Sequence, residues 1–219
     1  MPDAMTLATT EELVLKCHAQ PEEASMSGTH RVFVSYHHDN DQARKNIFDL
    51  RFGNRFGIIK PGSVNLGDID PNLATETVRQ KVRDEFMRDC SVTVVLVGTQ
   101  TWQRKHVDWE IGITIRDTLN NPRAGLLGVI LPSYAERHGR SISADARGNV
   151  LVYDRYTIPP RLHDNIDCGF ASLHMWTEDP DRMQQWIHEA YLRKSRTGIE
   201  PDNSYPSFAN NRSGDRWYP

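Results

Sequence analysis

The sequence predicts an α/β domain in which a parallel β-sheet carries helices on both faces. Two apolar runs point there first. Val92 to Val97 and Gly125 to Leu131 (GLLGVIL) are almost uninterrupted in apolar residues, as expected for central parallel strands buried on both sides. The third observation is order. Strand-like and helix-like stretches alternate as β-α-β-α-β-α-β up to Leu131, the pattern of parallel strands joined by crossover helices.

The elements follow in turn. Arg31 to Tyr36 (RVFVSY) is a strand by its β-branched and aromatic residues. HHDNDQARKNIFDLRFG then reads as a helix capped by Asp39 or Asn40, with Ala43, Ile47, Leu50 and Arg51 spaced three or four apart and Gly53 ending it. Phe56 to Lys60 is a short second strand, followed by a turn-rich loop through Ser63 and Asp68 to Pro71. Val78, Val82 and Phe86 place a helix over about Ala74 to Arg88. Another follows Thr101, its stripe formed by Val107, Ile111, Thr114 and Thr118. Pro132 to Cys168 reads as irregular apart from a short strand at Val150 to Tyr153, and a last helix is expected from Pro180 to Arg196 on Met183, Trp186, Ile187 and Ala190. The expected organisation is a flexible extension over 1–29, with a docking peptide as the alternative, one domain over 30–196, and an irregular tail over 197–219.

Composition narrows the function classes. The chain has 219 residues and a formal net charge of -3, with no long run of one sign, so no nucleic-acid partner is expected. No stretch approaches the ~18 apolar residues of a membrane span. The first residues lack the basic and apolar regions of a secretion signal. Cys17, Cys90 and Cys168 fit neither a disulfide framework nor a zinc pattern, so a reducing cytoplasm is the expected location and no metal is expected. Glycine-rich dinucleotide, P-loop and G-x-S-x-G motifs are missing.

The chemistry concentrates after the third strand, in GTQTWQRKHVDWEIG. Open α/β sheets bind ligands outside the carboxyl ends of their strands, where this loop lies. On a helical wheel Glu110 falls at the edge of the apolar stripe. A carboxylate there suits a raised pKa or a charge aimed at a substrate, and equally an edge ion pair with Arg104 or Lys105. Trp109 points away from the stripe with Ile113 beside it, which calls for cover by the tail or another protomer, or for a stacked ligand. Tyr36, His37 and Asp39, at the end of the first strand, face Glu110 across the same crevice. Asp39 also suits a helix cap.

VFVSYHHDND, the Ser63–Asp68 loop and above all the pattern T-W-x-R-x-x-V-x-W-E-I resemble the TIR-like domains, specifically the branch with the ThsB-type proteins of the bacterial Thoeris anti-phage system. The resemblance covers about residues 30–195 and implies a flavodoxin-like sheet. It implies NAD+ cleavage with Glu110 as the catalytic residue, and a nicotinamide pocket lined by Tyr36 and His37. Asp39, Ser63, Asp68, Trp102 and Arg104 are further substrate contacts, and Trp109 and Ile113 serve assembly or stacking. Ser63 to Asp68 corresponds to the family's variable gating loop. Thr101 and His106 or Val107 stand where the family's usual Ser and Cys would be. NAD+ is then a substrate, with no cofactor, and the product is an ADP-ribose-derived, cyclised signal. Such a signal reaches an effector protein by diffusion, and self-assembly is a further expectation. Two other readings stay open: a non-catalytic TIR-type adaptor, and a crevice enzyme resembling the nucleoside deoxyribosyltransferases.

Overall fold

The computed structural model describes residues 30–59, 87, 89–118 and 121–218. Five parallel strands form the main sheet in the order β2-β1-β3-β4-β7: β1 (Arg31–Ser35), β2 (Gly57–Ile59), β3 (Val92–Val97), β4 (Gly125–Ile130) and β7 (Ala171–Met175). The helices are α1 (His38–Phe52), α2 (Lys105–Thr114), α3 (Pro132–His138), α4 (Pro160–Asp167) and α5 (Pro180–Arg193). A small antiparallel pair, β5 (Ser143–Ala144) and β6 (Val150–Val152), stands apart. The fold is the expected single α/β domain of flavodoxin-like type.

The strands alternate their side chains between two cores. Val92, Val94 and Leu96 of β3 and Leu127 and Val129 of β4 pack with Phe48 and Phe52 of α1 and with Met183, Trp186, Ile187 and Ala190 of α5. Val95, Val97, Leu126 and Ile130 face the other way, against Val107 and Ile111 of α2 and Leu162 of α4. Every residue of β3 and β4 is buried, which is why Thr93 is the one polar residue in the two strands. Gly125 is required where β4 passes under α5. A Cβ there would collide with the Ala190 carbonyl, backbone against side chain. Gly125→Ala is expected to cost about 1–3 kcal/mol, seen as a lower urea midpoint.

Several expectations are corrected. Helix α1 buries Asp41, Lys45, Phe48 and Phe52, whereas Leu50 is 82% exposed. Apolar residues lie all round this helix, and the two large phenylalanines decide which face enters the core. Its N-cap is His37, whose side chain faces the Asn40 amide; Asp39 sits exposed in the first turn. Helix α2 ends at Thr114, so Thr118 is no part of its stripe, and α5 ends at Arg193. The stretch expected to be irregular contains α3 and α4, each opened by a proline at its first position. A fifth strand, β7, was not expected at all. Its Ser172 and His174 interrupt the apolar pattern, and His174 is accommodated by stacking on Trp186 at 4.3 Å. The carboxyl end of β7 is closed by a loop: Asn149 bridges His174 antiparallel, and the Met175 amide donates to the Gly148 carbonyl at 2.8 Å. The expected helix over Ala74 to Arg88 and the extension over 1–29 lie outside the described residues.

Candidate functional site

Connections leave β1 toward β2 and β3 toward β4, in opposite directions, so the sheet's switch point lies between β1 and β3. Open α/β sheets bind ligands in the crevice at such a point, outside the carboxyl ends of the two strands. Ser35 is the last residue of β1, and its hydroxyl donates to Glu110 Oε2 on α2 at 2.5 Å. Among the described residues no lysine or arginine forms an ion pair with Glu110. The edge-pair alternative with Arg104 or Lys105 therefore does not hold. Burial pushes the Glu110 carboxyl up to about 8, with the Ser35 hydrogen bond pulling weakly the other way.

The β1–α1 turn and the start of α2 meet across this crevice. His106 Nε2 lies 3.0 Å from the Tyr36 carbonyl. A carbonyl only accepts, so Nε2 carries the proton. Burial holds His106 down to about 4, leaving it neutral at pH 7. Arg104 Nε donates to His37 Nε2 at 2.5 Å, while the Asn40 amide approaches His37 Nδ1 at 3.2 Å. The two contacts select opposite tautomers of a neutral ring, and protonating His37 would break both. Its pKa is lowered accordingly, by burial first and then by Arg104. Tyr36, His38 and His106 form a run of ring contacts at 4.6 and 4.5 Å. Asn40 Nδ2 donates to Gln100 Oε1 at 2.7 Å and so ties α1 to the loop after β3.

Beneath that loop lies a buried carboxyl. Asp41 is packed on Gly98, where a Cβ would collide with both carboxyl oxygens. Thr101 Oγ1 receives the Gly98 amide at 2.8 Å and reaches Asp41 Oδ2 at 3.4 Å. Burial raises Asp41 to about 6, the Thr101 contact opposing it.

Of the residues expected at the site, Glu110, Tyr36, His37 and Arg104 are brought together, and Asp39 joins them at 3.8 Å from Arg104. Ser63 and Asp68 lie outside the described residues. Trp102, expected at the substrate, is only 2% exposed because the 3-10 turn Thr101–Gln103 folds its ring inward. Ile113, expected on an open face, is buried with Phe33, Met87, Cys90 and Ala124. Trp109 is covered by the C-terminal tail, its Nε1 donating to the Phe208 carbonyl at 2.9 Å. Ser35, His38, Asp41 and His106 stand in the two polar runs read from the sequence but were given no role at the site there. Ser35 and Asp41 flank the selected residues in one polar run, which was their only signal.

The family model described as Thoeris protein ThsB, TIR-like domain, matches residues 33–136. Over that stretch the chain is similar to the TIR-like domain of the ThsB proteins of Thoeris. That match holds the crevice, from Phe33 in β1 to Glu136 in α3, and supports a TIR-type role in defence for this ThsB-like chain. No curated protein matches it. Among the described residues no group of three or more histidines, cysteines or carboxylates is placed to hold a metal ion, and no helix is long and apolar enough to cross a membrane.

Proposed function

We propose that this chain cleaves NAD+ at the nicotinamide–ribose bond and releases an ADP-ribose-derived, cyclised nucleotide that signals in anti-phage defence. The observation that carries this reading is Glu110, a carboxyl held by Ser35 in the switch-point crevice with no cation paired to it among the described residues. Nicotinamide leaves with the bonding electron pair, which neutralises its ring nitrogen and leaves positive charge on the ribose. An ionised Glu110 stabilises that charge in a site with little water to screen it. Attack by water gives ADP-ribose. Attack by an atom of the same nucleotide closes a ring, and either route forms one new bond to the ribose carbon and releases one proton. Tyr36 and the His38–His106 rings offer a wall for the nicotinamide, and Arg104, oriented by His37, offers a cation for the pyrophosphate.

The test is nicotinamide release from NAD+, with products identified by mass spectrometry in phage-challenged cells as well as with purified protein. Glu110→Gln is expected to lower cleavage about 10²- to 10³-fold. The ratio kcat/KM should rise with pH and level off near 8, where Glu110 ionises in the free protein. Full cleavage by Glu110→Gln would remove Glu110 from the reaction. Protection against phage that survives Glu110→Gln would favour the adaptor reading instead. Of the face that the adaptor reading names, Ile113 is buried and Trp109 is partly covered by the tail, while its Ser63–Asp68 loop lies outside the described residues.

A further inference from the structure

Residues 203–217 contain no helix or strand and lie beyond the stretch matched to the family, yet they bond repeatedly to the helix that carries Glu110. Helix α2 has only ten residues, and Arg104 at its N-cap provides no side-chain cap. The cap comes from far along the chain: Asn211 Oδ1 accepts the Lys105 amide at 2.9 Å. One turn on, Asp108 Oδ2 accepts the Phe208 amide at 3.0 Å and Trp109 donates to the Phe208 carbonyl. Beyond Glu110, Asn203 Nδ2 donates to the Gly112 carbonyl at 3.0 Å. The tail thus grips α2 on both sides of Glu110.

The tail is itself anchored. Phe208 and Trp217 are 4% and 6% exposed. Arg212 lies 3.9 Å over the Phe208 ring, and its amide donates to the Gln103 carbonyl at 2.7 Å. Arg161 of α4 donates to the carbonyls of Asn203 and Tyr205 and to Asp108, so one guanidinium holds both tail and helix. A helix this short does not hold its own position in water, and what docks on it decides where it sits.

We propose that residues 203–217 are a positioning strap for Glu110, with Asn211 and Trp109 as the positioning residues that fix its carboxyl against Ser35. The inference rests on the reading of Glu110 as the reacting carboxylate. The strap does not touch substrate. It sets the distance and the dryness that the carboxylate needs, and misplacement by a fraction of an ångström is costly at such a site.

The experiment uses the full chain with three variants: Asn211→Ala, Asn211→Asp, which keeps the accepting oxygen, and Asn211→Ala combined with Trp109→Phe, which keeps the ring but loses the donor. Nicotinamide release gives kcat and KM, and carbon-13 NMR gives the titration midpoint of the Glu110 carboxyl. The other ionisable groups around the crevice, Tyr36, His37, His38, Asp39, Arg104, His106 and Asp108, are unchanged in these variants. In the double variant kcat is expected to fall on the order of tenfold with KM nearly constant. The Glu110 midpoint should move down toward the ordinary carboxylate range, Asn211→Ala alone should shift both values part of the way, and Asn211→Asp should leave both near those of the wild type. A double variant that melts as a folded protein with kcat and midpoint unchanged would overturn the strap. If Glu110→Gln keeps full cleavage, the functional reading fails and the NMR midpoint alone judges the strap: a shift supports it and a constant value overturns it.

Discussion

Glu110→Gln is expected to make the protein more stable at pH 8 by about 2–4 kcal/mol, and to leave stability nearly unchanged at pH 4. The sign follows from the direction of the shift. Burial raises the Glu110 carboxyl from 4.5 to about 8, so between those values the folded chain holds a proton that the unfolded chain has lost. Stability from this group is complete below about 4.5 and drains away as pH rises through 8. Glutamine has nearly the same shape, keeps an acceptor for the Ser35 hydroxyl and never ionises. Its advantage therefore grows with pH over that same window. Urea midpoints of the two proteins at pH 4, 6 and 8 measure it. Asp41, raised to about 6, titrates in both proteins and drops out of the difference. A parallel dependence in wild type and variant would mean that Glu110 is hydrated in the folded chain.

Removing either partner of the Arg161–Asp108 pair is expected to cost about 3–5 kcal/mol. Both side chains are 2% exposed, and the pair closes at 3.1 Å. Asp108→Ala leaves a buried guanidinium whose remaining partners are the Asn203 and Tyr205 oxygens, and it frees the Phe208 amide. Arg161→Met leaves the carboxylate instead and releases the tail at two carbonyls. The double variant Asp108→Ala, Arg161→Met should be less damaged than the sum of the two, because neither charge is then left alone. Equilibrium unfolding in urea gives all three values, and protease cleavage within 199–218 should accelerate in step with them. An additive double variant would show that the two side chains act separately.

The sheet was legible because β3 and β4 are buried on both faces and so carry only one polar residue, Thr93, to blur the pattern. β7 was not, since Ser172 and His174 interrupt its apolar pattern, and what accommodates His174, the ring of Trp186, comes from a helix further along the chain. On α1, spacing alone could not choose between Leu50 and Phe48, because both belong to plausible stripes. Only packing against β1 and β3 decides. Glu110 stood out from its surrounding motif and from its place at the stripe's edge. Its partner Ser35 did not, since a serine ending a strand is ordinary until the neighbouring helix is placed. The tail was the hardest to read. It forms no repeating pattern, and its hydrogen bonds run through Asn side chains and backbone groups that composition reports only as turn-forming.

The loop at Gly148 and Asn149 has a consequence for how copies of this molecule can meet. A parallel sheet with a bare outer strand invites a neighbour to add its own strand and continue the ladder. At the carboxyl end of β7 the Met175 amide and the His174 backbone are already engaged by that loop. Fibre-like growth by sheet extension is therefore blocked at this margin. A neighbour approaching this end of β7 would meet the loop and not a free strand edge.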